Sequence, residues 1–156
     1  MPKINIVYAS WTGNSEEIAE YLVECFKELN AEVELHECQQ VNADNFLNSD
    51  ICVVSTYTFG SRGDLPDEIV DFYIDLEKLD LTGKVFGALG SGEEFYGYFC
   101  KSVDDFDNQF EKTGAIRGAE PLKIELNPNE EDEKRIMTFA KDLLAKWEEI
   151  STGHND

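Results

Sequence analysis

Long apolar runs, basic residues and paired cysteines are what this chain lacks. No window approaches the ~20 consecutive apolar residues that a membrane-spanning helix needs. The opening Met1-Pro2-Lys3 leads directly into Ile4-Asn5-Ile6-Val7-Tyr8, too short and too interrupted for a secretory signal's apolar core. Only 13 Lys and Arg stand against 33 Asp and Glu, a formal charge of −20. Such a polyanion is repelled by nucleic-acid phosphates and by anionic membrane leaflets, so any protein partner should be basic. Two histidines, His36 and His154, and four cysteines without a CxxC spacing give a zinc site little to draw on. The scattered thiols Cys25, Cys38, Cys52 and Cys100 read as core-filling residues of a reduced, cytoplasmic protein.

What remains is a chain of 156 residues, 42% hydrophobic, which suits one globular domain over 1–150 with a short flexible tail at 151–156. Short apolar runs alternate with helical periodicities. Ile4–Tyr8, Glu32–His36, Ile51–Ser55, Lys84–Leu89 and Leu122–Leu126 read as strands. The alternation in Glu32–His36 predicts an edge strand, whereas the unbroken run Ile51–Ser55 predicts one buried on both faces. Ile18, Leu22, Cys25, Phe26 and Leu29 make one helical stripe. Ile69, Phe72, Tyr73 and Leu76, following Pro66, make a second. Phe99, Val103, Phe106 and Phe110 form a third, and a long amphipathic helix from Ile136 to Ile150 closes the chain. Strands alternating with helices predict an α/β fold, a parallel sheet with helices on both faces. Ligands of such sheets bind beyond the carboxyl ends of the strands, which makes the strand-end loops the place to look.

Ser10-Trp11-Thr12-Gly13-Asn14-Ser15 follows the first strand and precedes a helix. Its hydroxyls, its glycine and the helix N-terminus suit a phosphate dianion, while Asn14 with Glu17 also fits an ordinary capping box. The lysine of a nucleotide-triphosphate loop is absent. Tyr57-Thr58-Phe59-Gly60 after the third strand, and Ser91-Gly92-Glu93-Glu94-Phe95-Tyr96 running to Phe99 and Cys100 after the fourth, pair glycines with aromatics. Glycine admits a close backbone approach, and an aromatic at a loop tip can stack on a flat ring.

These three segments together resemble the flavodoxin family, short-chain type, over essentially the whole chain. Ser10–Ser15 matches its [ST]-x-T-G-x-[ST] phosphate loop, and Tyr57–Gly60 and Gly92–Tyr96 look like its two flavin loops. The resemblance implies a five-stranded parallel sheet of order 2-1-3-4-5 holding one non-covalent FMN. Ser10, Thr12, Asn14 and Ser15, with N–H groups around Trp11 and Gly13, would take the phosphate, and Thr58 would assist. Phe59 and Tyr96 would flank the ring, Glu93 would lie at its pyrimidine edge, and Gly60 would turn its peptide toward flavin N5. Tyr57, Ser91, Gly92, Phe99 and Cys100 complete the implied cofactor set.

The implied role is a low-potential one-electron carrier and not an enzyme, cycling mainly between semiquinone and hydroquinone. Adding a charge to a flavin in an acidic, apolar slot is unfavourable. One charge ~10 Å away at an effective dielectric of about 20 is worth ~1.7 kcal/mol, or some 70 mV for one electron. The turn Gly60-Ser61-Arg62-Gly63 is one residue longer than the family's usual Gly-Asp-Gly, and Arg62 is expected to offset part of that field. Asp64, Asp67, Glu68, Glu93, Glu94, Asp104 and Asp105 should form an acidic rim steering basic-surfaced reductases and acceptor enzymes to a monomer. A phosphoryl-receiver domain shares the architecture, but Ser10, Thr56 and Asn127-Pro128 stand where it needs acids and a lysine.

Overall fold

The computed structural model describes residues 2–10, 13–58, 65–92 and 100–153. Strand β1 (Lys3–Tyr8) leads to helix α1 (Asn14–Glu28), β2 (Glu32–Glu37), a 3-10 turn (Ala43–Asn48) and β3 (Ile51–Tyr57). A second 3-10 turn (Asp67–Ile69) runs into α2 (Val70–Glu77), followed by β4 (Val85–Gly92) and α3 (Lys101–Lys112). Two short strands, β5 (Ile116–Arg117) and β6 (Leu122–Glu125), precede the long α4 (Glu130–Gly153).

All pairings are parallel, in the order β2-β1-β3-β4 with β5 and β6 both on the outer side of β4. The predicted order therefore holds, with one difference. The fifth position is two strands separated by 118–121. Pro121 has no N–H to give to a ladder, and two residues, Ile116 and Arg117, are too few to carry a readable period. The helix predicted directly after Pro66 also starts later, as a 3-10 turn precedes α2. At the far end, α4 continues through Ser151 to Gly153, so three residues assigned to a tail are helical.

The continuous apolar runs find their reason in alternation between two cores. Ile51 and Val53 of β3, with Val85 and Leu89 of β4, face α1 and α4, where Ile18, Leu22, Phe139 and Leu143 meet them. Cys52 and Val54, with Phe86 and Ala88, face α2 and α3, against Phe72, Leu76, Phe106 and Phe110. Phe86 stacks on Phe110 at 5.0 Å between centroids, and Arg117, bonded through Nε and Nη2 to Asp107, lies 5.4 Å above the Phe86 ring. The edge strand β2 alternates exposed and half-buried residues from Glu32 to Leu35, as expected, and stays half-buried through His36 and Glu37.

All four cysteines are buried and free. Burial pushes the thiols of Cys25 and Cys100 up from 9.0 to about 11 and about 12. Acids with raised folded pKa values keep their protons in the native state while the unfolded chain releases them. Their contribution to stability is complete below pH 9 and is lost as pH rises through those values. The urea midpoint should fall from pH 9 upward, and the folded protein should resist iodoacetamide at about pH 9.5 until urea unfolds it. Rapid labelling of the folded protein would contradict this.

Candidate functional site

The order β2-β1-β3 reverses the direction of winding between β1 and β3, which opens a crevice beyond their carboxyl ends. Register brings the ends together: Tyr8 lies beside Ser55, and Tyr57 beside Ser91. The segments leaving β1, β3 and β4 therefore start at one edge of the sheet.

Beyond β1, the Oγ of Ser10 accepts the Gly13 N–H at 2.9 Å, a turn that aims the chain into α1. Gly13 occupies the N-cap position with φ +96, and no side chain caps the helix. The capping box expected of Asn14 and Glu17 is thus not formed. Instead the Glu17 N–H bonds the Gly13 carbonyl at 2.8 Å. The N–H groups of Asn14, Ser15 and Glu16 precede the first intrahelical bond and have no acceptor among the described residues. A Cβ built on Gly13 would meet nothing within 4 Å. Ser15 is buried and its hydroxyl donates to the Ala9 carbonyl, while its own carbonyl accepts from Ser55 Oγ at 2.7 Å. Ser15 thus fixes the turn from below. Ser55 was not singled out in the sequence, although a hydroxyl at the end of an otherwise apolar buried strand is a readable signal.

Beyond β3, Thr58 Oγ1 accepts the backbone N–H of Ser102 at 3.1 Å, tying this segment to the first turn of α3. The Tyr57 hydroxyl donates to Glu68 Oε1 at 2.7 Å. Beyond β4, Ser91 is buried and Gly92 is packed so closely that a Cβ would lie 2.9 Å from Cys100 Sγ. Cys100 takes φ +52, the left-handed region, and starts α3. Its thiol points inward, with Sγ 3.9 Å from the Gly90 carbonyl oxygen and 3.8 Å from that of Ile124. Trp11, Thr12, Phe59, Gly60, Arg62, Asp64, Glu93, Glu94, Tyr96 and Phe99 lie outside the described residues.

The flavodoxin family model matches residues 6–139. The chain belongs to the flavodoxin family. It is 35% identical over 147 residues to a probable flavodoxin of Bacillus subtilis, covering 94% of this chain and 97% of that one. It is 38% identical over 134 residues to the flavodoxin of Maridesulfovibrio salexigens, covering 85% and 92%. Among solved structures, the flavodoxin of Streptococcus pneumoniae TIGR4 superposes with a TM-score of 0.90 at 49% identity, covering 92% of this chain and 99% of that one. A short-chain flavodoxin associated with a PDU bacterial microcompartment superposes at 0.92 with 45% identity, covering 94% and 99%. Flavodoxins are in general FMN-binding electron carriers.

The described residues fit a flavin mononucleotide. The start of α1 offers N–H donors without a side-chain cap, with open space beside Gly13, where a phosphate gains from the helix dipole. Of the seven acids expected to form a rim, two among the described residues are paired with lysines. Asp104 is paired with Lys123 at 2.6 Å and Asp105 with Lys101 at 3.1 Å, while Asp67 and Glu68 stand at the start of the 3-10 turn without a lysine or arginine partner among the described residues.

Proposed function

We propose that this chain binds one FMN non-covalently and carries electrons singly between basic-surfaced reductases and acceptor enzymes, as a cytoplasmic monomer and not as an enzyme. The observation that supports this reading is the start of α1 at the mouth of the crevice, where Gly13 takes the N-cap position, no side chain caps the first N–H groups and the space beside Gly13 is open, although Glu16 and Glu17 stand in the same turn. FMN supplies, when bound, a ring that gains and loses one electron at a time, working mainly between its one- and two-electron-reduced states.

Everything else is the work of the chain. Ser10, Thr12 and Asn14, with the Trp11 N–H and the uncapped N–H groups at the start of α1, hold the phosphate by hydrogen bonds and helix dipole without a cation. The Ser15 hydroxyl, expected from the sequence to join them, is taken up by the Ala9 carbonyl, and the Gly13 N–H by Ser10 Oγ. Thr58, Ser91 and Gly92 support the two segments that bring Phe59, Gly60, Glu93 and Tyr96 to the ring, and Phe99 and Cys100 return the second segment to α3. Phe59 and Tyr96 would flank the ring and exclude water from it, and the Gly60 peptide would offer a backbone carbonyl to a proton at flavin N5. No general acid or base is required: His36 sits on the edge strand with Nε2 4.0 Å from Glu34. A surface of −20 raises the cost of the second electron and draws in basic partners.

Reduction of the FMN-loaded protein by a pyridine-nucleotide-dependent flavodoxin reductase should slow about tenfold as salt rises from about 50 to 500 mM, because screening weakens the steering. Stepwise photoreduction should pass through a transient long-wavelength band. Salt-independent reduction, or steady turnover of pyridine nucleotide with quinone and no reductase, would overturn the carrier reading.

A further inference from the structure

We propose that Glu68 is a positioning residue of the flavin site, acting through Tyr57 to close the base of the segment between β3 and α2. This rests on the FMN reading above and adds a residue to it.

Tyr57 is the last residue of β3, in register with Ser91 of β4. Its hydroxyl donates to the Glu68 carboxylate at 2.7 Å, eleven positions on. The phenol is half-buried, and burial followed by the Glu68 contact pushes its pKa up, so it remains a donor throughout the physiological range. Glu68 is itself held from a second direction. Its backbone carbonyl lies 3.4 Å from Cys38 Sγ, and the Cys38 N–H donates to the Tyr8 carbonyl at 2.8 Å. Glu68 therefore meets the end of β3 through its carboxylate and the residue following β2 through its carbonyl, and that residue, Cys38, is in turn bonded to the end of β1.

The chain leaves this junction at Thr58, whose hydroxyl is fixed on Ser102. It returns at Leu65, half-buried against the α2–α3 core, and at Pro66, whose carbonyl accepts the Ile69 N–H at 3.0 Å. Tyr57 and Glu68 thus clasp the two ends of the stretch to which the flavin reading assigns Phe59 and Gly60. Closing such a stretch before a ligand arrives removes ordering entropy that binding would otherwise have to supply. The carboxylate is used as an acceptor in this role, and its charge is incidental.

That distinction sets the test. FMN affinity is measured by quenching of flavin fluorescence for the full chain and for Tyr57→Phe, Glu68→Ala, Glu68→Gln and the Tyr57→Phe/Glu68→Ala double variant. Each variant is first shown to be folded by circular dichroism. Tyr57→Phe and Glu68→Ala should each weaken FMN about tenfold, because the ordering that the clasp supplies in advance would then have to come from binding. The double variant should be no weaker than either alone, since both remove one contact. Glu68→Gln, whose amide oxygen still accepts from the phenol, should restore most of the affinity. Equal affinity in all five proteins overturns the clasp and leaves the FMN reading intact. Glu68→Gln as weak as Glu68→Ala with Tyr57→Phe unchanged also overturns it, in favour of a purely electrostatic Glu68. No FMN uptake by the unmutated chain overturns the functional reading on which it rests.

Discussion

Gly90→Ala is expected to destabilise the fold by about 3 kcal/mol or more, read as a lowered urea midpoint. Gly90 sits in β4 opposite Thr56 of β3, in the middle of the sheet. A Cβ there would lie 1.9 Å from the Thr56 carbonyl oxygen and 3.0 Å from Val103 Cγ2. The first neighbour is backbone in a central ladder. Relieving the overlap means parting β3 from β4 just before both strands reach the site. Gly87, three residues earlier in the same strand, gives the control. Its added Cβ would meet Phe139 Cζ at 2.7 Å and Leu143 Cδ2 at 3.0 Å, the ends of side chains that can shift. Gly87→Ala should therefore cost clearly less, in the ordinary range for overpacking. Equal losses at the two positions would show that close approach of the central strands is not what Gly90 provides.

Ser10→Asp should separate stability from binding. An aspartate oxygen can still accept the Gly13 N–H that Ser10 Oγ accepts now, so the turn should survive. Its negative charge at the start of α1 favours the helix dipole, and the ligand-free protein should be unchanged or more stable by about 0.5 kcal/mol. For a bound phosphate the same charge is repulsive. At an effective dielectric of ~20 and a separation of ~5 Å, each pair of unit charges costs about 3 kcal/mol, so FMN should bind at least 100-fold more weakly. A variant that keeps its FMN affinity places the phosphate elsewhere.

Much of this molecule is legible in its sequence because the signals that matter are local. The run Ile51–Val54 announces a strand with two buried faces, and the structure supplies a separate core for each parity of side chain. The turn proposed to take the phosphate is visible because Gly13 and its flanking hydroxyls lie together in the chain. The capping box is the instructive failure. Asn14 and Glu17 have the right spacing, yet Gly13 takes the N-cap position in a left-handed conformation, and the donors stay uncapped. The split fifth strand was unreadable because Ile116–Arg117 shows no period. Contacts between segments distant in sequence were hidden for a different reason. Nothing local links Tyr57 to Glu68, Thr58 to the Ser102 N–H, or Asp104 to Lys123; only the stacking of strand ends in the folded sheet brings them together.

The most direct trial of the whole account is a pair of calorimetric titrations of the ligand-free chain, one with FMN and one with riboflavin. Anchoring of a phosphate by the start of α1 predicts one FMN per chain and riboflavin at least 100-fold weaker. Failure to take up FMN, or equal affinity for the two flavins, would contradict it.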